Sequence, residues 1–289
     1  MKSNNAALLA CRALLDKASP EKKEALLGHL SEMDQTALQA LPETQNDPLE
    51  FSETMQDRLQ RIHDSWLTAA LRNFSPSDMR LFLASLAPAQ ATEVQKALQV
   101  KGSFPPVSDL SKQFLSKTLW ERIVGKEEEP LPISCLPPSS LLPLLDISFD
   151  ELSRVIEYLG MHDLATEMRQ IIEAARLKKI YDVLAPEEQN YVKMLLQSQE
   201  PVVFSRMGIM NWKGDSETLR SLIVQRGINR LAKVAYGQHP SFLWYLSHRL
   251  DAPRAQIFQK LCAPLENPAI VSLLTTQVLE LFSFLRRAA

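Results

Sequence analysis

Glycine is scarce in this chain, with 8 residues in 289. Sheets need glycine-rich turns and runs of β-branched residues, so this scarcity argues against a β-rich fold. Leu, Ala, Gln, Glu and Lys are instead abundant, and all of them favour helix. Hydrophobic residues make up 45% of the chain, which is enough to bury a core. The composition therefore predicts an all-α fold.

Cysteine is also rare, and the three cysteines stand far apart without a CxxC pair: Cys11, Cys135 and Cys262. This spacing predicts unpaired thiols in a reducing compartment. The first residues lack the apolar core and the small-residue cleavage site of a secretory signal. The most apolar stretch, 268–285, is interrupted by polar residues, which favours an amphipathic helix over a membrane span. We therefore expect a soluble cytoplasmic protein.

Motifs for catalysis and for metal binding are absent from the sequence. It has no G-x-S-x-G elbow, no Walker-type loop and no dinucleotide-binding glycine motif. The histidines are dispersed without HExxH-like or CxxC-linked spacing, which is typical of surface or helix-capping residues: His29, His63, His162, His239 and His248. We expect no catalytic residue, no metal and no cofactor. An all-helical enzyme is an alternative, and it would need a polar cleft with converging titratable groups.

Proline marks the clearest boundary in the sequence. Residues 126–143 contain five prolines and a run of glutamates, and they cannot continue a helix. We predict an N-terminal helical domain at 1–125, a linker at 126–143, a helical module at 144–200 and a basic C-terminal module at 201–289. Residues 1–200 carry 21 basic and 29 acidic side chains, or −8, whereas 201–289 carry 11 and 5, or +6. This asymmetry indicates two functionally different ends, or simply unequal solvation of two surfaces.

Apolar spacing predicts helices on both sides of the linker. Between 51 and 74, apolar residues recur at three- and four-residue steps and predict one long helix: Met55, Leu59, Ile62, Trp66, Ala70 and Phe74. Residues 148–197 predict consecutive short helices with breaks near Gly160 and Pro186.

A two-helix unit recurs along the sequence. Residues 86–99 and 184–197 both begin with Leu-Ala-Pro, place valine eight positions after the leucine and end in Leu-Gln. Residues 30–41 and 250–261 are looser copies, and an apolar helix precedes each copy. The unit is a helix ending at leucine, a tight turn and a second helix whose first turn accommodates proline. One pair cannot bury its apolar face alone, so we expect the pairs to stack.

One predicted helix of the C-terminal module carries a row of cations. Arg226, Arg230 and Lys233 are spaced by four and three residues, which places them on one face. We predict a docking surface for an acidic partner on this face, while a solvated face is the simpler interpretation. Nucleic acid is a weaker candidate, because the whole chain has a net charge of −2. Phe242, Trp244 and Tyr245 lie beside the row. We expect most of these aromatic residues in the core, but one exposed member could anchor an interface, and Trp244 is the candidate.

Several stretches resemble the armadillo-like helical modules of the flagellar motor-switch protein FliG. The resemblance is carried by 141–197, by 66–98 and by 237–261. In FliG, the helix that corresponds to the last stretch opens with Glu-His-Pro-Gln and contacts the next protein of the switch ring. Those positions are occupied here by Gln238, His239, Pro240 and Ser241. The resemblance implies helical pairs stacked in two or three subdomains. The stretch 208–250 is also similar to proteins of chlamydial type III secretion systems.

A type III secretion adaptor of the SctK kind is the function that this resemblance implies. Such an adaptor is not an enzyme. It lies in the cytoplasm against the inner-membrane secretion apparatus and links the membrane ring protein to a switch-like SctQ or FliM-like protein. The resemblance places the switch-protein contact on Gln238–Ser241, beside the row of cations. A type III secretion chaperone or gatekeeper that binds effectors is the alternative within the same broad class.

Overall fold

The structure is a computed structural model, and it describes residues 11–12, 15–16, 18–40, 53–125, 128–198, 202, 204–265 and 267–288. This part of the chain is all-α, as predicted, with fourteen α-helices and no strand. The helices are α1 (Pro20–Leu27), α2 (Glu32–Gln39), α3 (Met55–Gln60), α4 (Asp64–Leu71), α5 (Pro76–Leu83), α6 (Pro88–Leu98), α7 (Asp109–Val124), α8 (Phe149–Met168), α9 (Ala174–Val183), α10 (Pro186–Gln197), α11 (Ser216–Ala235), α12 (Pro240–His248), α13 (Ala252–Leu261) and α14 (Pro268–Ala288). Short 3-10 turns lie at Ile133–Cys135, Leu142–Leu145 and Ile209–Asn211.

The chain divides into two compact units. Unit 1 contains Met1–Gln60 and Ala70–Pro138, and unit 2 contains Arg61–Ala69 and Ser139–Ala289. The division after Pro138 falls within the Pro-rich segment that we predict to be a linker. The two modules predicted after that linker both lie in unit 2.

Helix α7 is central to the packing of unit 1, where it contacts α3 and α5. It buries Leu119 and Trp120, and the guanidinium of Arg58 in α3 lies 5.5 Å from a ring centroid of Trp120. The first turns of α7 lie outside this core, because Leu110 is 78% exposed and Phe114 is 69% exposed. Unit 1 therefore has its own small aromatic and aliphatic core.

Unit 2 is organised around the crossing of α8 and α11. A Cβ atom built on Gly160 of α8 would lie 1.9 Å from the carbonyl oxygen of Ile223 in α11. A Cβ atom built on Gly227 of α11 would lie 1.7 Å from the carbonyl oxygen of Ile156 in α8. The two backbones are therefore in contact, and only glycine fits at either position. Helix α8 runs unbroken through Gly160, so the predicted break there is wrong: this glycine serves close packing.

The remaining helices of unit 2 surround this crossing. Helix α11 also contacts α13 and α14, and α8 contacts α10 and α14. Helix α14 buries one stripe of side chains, which confirms the predicted amphipathic helix: Leu274, Gln277, Val278 and Leu281. Among the described helices, none combines the length and the apolarity that a bilayer crossing requires. The three cysteines are unpaired, as predicted.

The single helix predicted between residues 51 and 74 is wrong, because the chain forms α3 and α4 with a break between them. The backbone N–H of His63 donates to the His248 carbonyl at 2.8 Å, so it makes no bond within a helix. The imidazole Nδ1 of His63 accepts the Ser65 N–H at 3.2 Å, as an N-cap side chain does. Apolar spacing continues across the break, so the break depends on a contact that is distant in sequence.

The four copies of the two-helix unit share one turn. In each copy, the opening leucine donates its N–H to the carbonyl three residues earlier, at 3.0, 3.2, 3.1 and 3.1 Å for Leu30, Leu86, Leu184 and Leu250. The next residue is extended, with ψ values of 152°, 142°, 156° and 156°, and the second helix follows it. Pro88 and Pro186 occupy the first turns of α6 and α10, as predicted.

One loose copy, 30–41, and one tight copy, 184–197, also share a glutamine that makes the same hydrogen bonds in both. It stands five residues after the leucine and donates to two carbonyls of the preceding turn. The distances are 2.8 and 3.1 Å from Gln35 to Leu27 and Leu30, and 2.9 and 3.0 Å from Gln189 to Tyr181 and Leu184. The helix pair is therefore a recurring structural unit, while armadillo-like stacking of the pairs remains a prediction.

Candidate protein-binding surface

The predicted row of cations lies along one side of α11, but neighbouring segments cover it. Arg230 is 0% exposed. Its guanidinium donates to Asp163 Oδ1 at 2.7 Å, to Gln277 Oε1 at 2.9 Å and to the Val202 carbonyl at 3.0 Å. It also lies 5.3 Å from the ring centroid of Phe204. The expected solvent-facing position of Arg230 is therefore wrong, since the residue forms an ion pair in the core of unit 2.

The other two cations of the row are half-buried, and each bonds a backbone carbonyl. Arg226 donates to the Arg206 carbonyl and, at 3.4 Å, to Ser205 Oγ. Lys233 Nζ donates to the Ala263 carbonyl at 3.2 Å, just beyond the end of α13. The spacing thus identified a common face correctly, but the cations on it attach neighbouring segments to α11.

The chain turns from α11 into α12 at residues 236–240, here called the α11–α12 corner. Tyr236 is 43% exposed and Pro240 is exposed, whereas Gln238 and His239 are half-buried. Gly237 has φ of +84°, a conformation that glycine adopts without strain, and it allows the tight change of direction. Three of the predicted contact residues are therefore accessible together, and Tyr236 is an additional one that the sequence did not indicate.

Hydrogen bonds within the chain fix the corner. The Gln238 N–H donates to the Ala235 carbonyl at 3.1 Å. The imidazole Nδ1 of His239 accepts the Ser241 N–H at 3.2 Å, so His239 caps the start of α12. Ser241 is 7% exposed, so its prediction as a contact residue is wrong: the residue is buried at the start of α12. The corner is therefore ordered before any partner binds.

The aromatic residues of α12 form core and not surface. Trp244 is 9% exposed, and its ring stacks on His248 with centroids 3.9 Å apart. His248 also packs against Trp66, at 4.3 Å. Phe242 and Tyr245 are each 1% exposed. The prediction of Trp244 as an exposed anchor is therefore wrong, because its ring is buried against His248 and Tyr245.

Two titratable groups at the end of α12 have perturbed pKa values. Burial lowers the pKa of His248 to about 4, and its Nδ1 donates to the Trp244 carbonyl at 2.8 Å. Burial likewise lowers the pKa of Arg249 to about 10. Arg249 donates to the Ile147 carbonyl and lies 5.1 Å from the ring centroid of Phe149. Both groups are buried and join the end of α12 to neighbouring parts of unit 2.

A separate groove of about 430 Å³ lies between α8, α10 and α14. His162 Nε2 and the Tyr191 hydroxyl, 3.0 Å apart, line it together with three partly exposed apolar residues: Met194, Leu273 and Phe284. The sequence did not predict this groove, because its lining comes from three helices that are distant along the chain. Within the described ranges, no group of three or more His, Cys, Asp and Glu side chains is placed to hold a metal ion.

No family model, no curated protein and no solved structure matches this chain. The function of the α11–α12 corner is therefore inferred from its geometry and from the sequence resemblance to FliG-like modules.

Proposed function

We propose that this protein is a non-enzymatic cytoplasmic adaptor of a bacterial type III secretion apparatus, similar to SctK. In this role it links an inner-membrane ring protein to a switch-like SctQ or FliM-like protein. The observation that supports the proposal most is the helix–turn–helix unit, which occurs four times with the same leucine turn. Repeated helical pairs provide extended surfaces for protein partners, and three of the four copies overlap the stretches that resemble FliG.

The α11–α12 corner is the proposed contact for the switch-like protein. Its residues 236–240 are accessible, and the backbone bond of Gln238 and the cap formed by His239 hold the turn. A surface that is ordered in advance loses little conformational entropy on binding. Arg226 and Lys233 remain half-exposed, and their positive charge favours approach of an acidic partner.

A pull-down after co-expression with the switch-like protein of the same secretion system tests this contact. Replacing Tyr236→Ala and Gln238→Ala together removes an aromatic ring and an amide from the corner, and we expect recovery of the partner to fall roughly tenfold. The matched control replaces Met194→Ala and Gln197→Ala, an exposed apolar residue and an exposed glutamine on α10. Arg230→Glu is unsuitable, because it would place a second carboxylate in the core.

The results separate the adaptor from its alternatives. Equal recovery with both double variants would show that the corner is not the contact. If the chain does not bind the switch-like protein but does bind a secreted effector, the result would instead support the chaperone or gatekeeper alternative.

A further inference from the structure

One buried carboxylate fixes the conformation of the loop that precedes α11, residues 207–215. Glu167 of α8 is 7% exposed. Its carboxylate accepts the backbone N–H groups of Met207, of Gly208 at 3.3 Å and of Ile209 at 3.0 Å. Three directional bonds from one acceptor group leave these residues little freedom.

The second half of the same loop is fixed as firmly. Ile209 is 0% exposed, and Trp212 is 8% exposed and donates its indole N–H to the Asp215 carbonyl at 2.8 Å. The residues between and after them point outwards: Met210 is 51% exposed, and Lys213 is exposed. An exposed methionine is thus presented on an ordered loop.

Cations of α9 border this methionine. Arg176 Nη1 donates to the Met210 carbonyl at 3.0 Å and lies 3.8 Å from its sulfur. Lys179 is three residues further on, so it shares the face of Arg176. The Lys179 Cδ would lie 3.6 Å from a Cβ built on Gly214, which places its chain against the same loop. We call Arg176, Lys179, Met210 and Lys213 the α9–loop surface.

The charge of this surface is compensated only in part by its neighbours, among them Asp215, which interacts electrostatically with Lys213. Arg176 pairs at 3.7 Å with Glu173, whose side chain is 70% exposed. Within the described part of the chain, neither Lys179 nor Lys213 forms a salt bridge. A weakly compensated positive surface around an exposed, adaptable apolar side chain is complementary to an acidic segment with apolar residues.

We propose that the α9–loop surface is a second docking site, which binds an acidic amphipathic segment of a protein partner. Helix α11 separates it from the α11–α12 corner: the loop precedes its first residue and the corner follows its last. Twenty residues of helix span about 30 Å, so two partners can bind at once. The site does not depend on the type III assignment or on the corner being a contact.

Binding of a designed probe to the full-length chain tests the site. The probe is a labelled helical peptide of repeating glutamate and leucine, measured by fluorescence anisotropy. We expect Lys179→Glu to weaken binding roughly tenfold at low salt, and wild-type binding to weaken as salt rises. Lys178→Glu is the matched control. Lys178 is exposed like Lys179, and its replacement changes the net charge equally but on another face of α9. In the same way, Met210→Ala weakens binding, whereas Met194→Ala on α10 does not.

Two outcomes would overturn the proposal. Equal losses in Lys178→Glu and Lys179→Glu would mean that the peptide responds to net charge and not to this surface. Binding of phosphatidylglycerol vesicles that depends on Lys179 and Met210, with no peptide binding, would assign the surface to an anionic membrane instead. Variants at these positions are expected to fold normally, and circular dichroism checks this.

Discussion

The contact between α8 and α11 predicts that adding one methyl group at Gly160 destabilises unit 2. The new Cβ would lie 1.9 Å from the Ile223 carbonyl oxygen, whereas real Cβ atoms essentially never approach closer than 3.0 Å. The helices must therefore separate by about 1.1 Å, the difference of these two distances. The obstructing atom belongs to helix backbone, so it cannot rotate aside.

The size of the effect follows from two opposing terms. Overpacking of a core costs about 1–3 kcal/mol, and a rigid obstruction places Gly160→Ala near the upper end. Alanine gains about 1 kcal/mol over glycine within a helix. The net destabilisation is therefore about 2 kcal/mol, which lowers the Tm by roughly 4–8 °C for a unit of this size. Gly227→Ala should have a similar effect, because its Cβ meets the Ile156 carbonyl oxygen at 1.7 Å.

Thermal unfolding followed by circular dichroism measures the shift, and hydrogen exchange of α8 and α11 locates it. Gly28→Ala is the control, because this glycine has an α-helical φ of −61° and its nearest atoms lie at 3.5 and 3.6 Å. We expect the double variant at Gly160 and Gly227 to cost less than the sum of the single variants, since the first methyl group already separates the helices. Single variants as stable as Gly28→Ala, or strictly additive losses, would refute the close crossing.

Further predictions concern groups of unit 2. Burial lowers the pKa of His248 to about 4, below the ordinary histidine value of 6.5. The stability due to its neutral form is therefore complete above pH 6.5 and is lost as the pH falls to 4. The free energy of unfolding should fall by about 3 kcal/mol over this pH range. In His248→Phe, this pH-dependent decrease should be absent from the pH profile of unfolding. Arg230→Met leaves Asp163 buried without its cation and should lower the free energy of unfolding, measured with urea, by about 3–5 kcal/mol. Adding Asp163→Leu should restore much of that stability, because it removes the unpaired carboxylate. Ser148→Ala removes a capping box from α8 and should lower unfolding free energy by about 1 kcal/mol in the same assay.

Local features of the fold could be read from the sequence, because they depend on neighbouring residues. Composition and periodicity indicated helix, and the recurring leucine indicated the turn that all four copies adopt. Pro88 and Pro186 marked first turns correctly. Asp215 accepts the Thr218 N–H at 2.9 Å, as the capping preference of a residue before a helix predicts.

Features that depend on distant partners could not be read in this way. Gly160 looks like a helix break in the sequence, and only the backbone of α11 shows that it is a packing residue. The spacing of Arg230 gave its helix face but not what covers that face, because Asp163 lies 67 residues away. The sequence does not indicate the α9–loop surface for the same reason, since Glu167 and the loop that it binds are separated by 40 residues or more.

The close crossing of α8 and α11 also governs the proposed docking surface. Gly160, Asp163 and Glu167 follow one another at three- and four-residue steps, so they lie on one face of α8. Asp163 binds Arg230 of α11, and Glu167 binds the loop before α11. Moving α8 outwards by a methyl group therefore moves both carboxylates away from their donors. Gly160→Ala should consequently weaken binding of the acidic peptide, although no residue of the α9–loop surface changes.

Ser148→Ala is the control, because it weakens α8 at its distant end. It should leave the affinity for the peptide unchanged at temperatures where the protein is folded. Equal affinity of Gly160→Ala and wild type would mean that the loop keeps its conformation without Glu167.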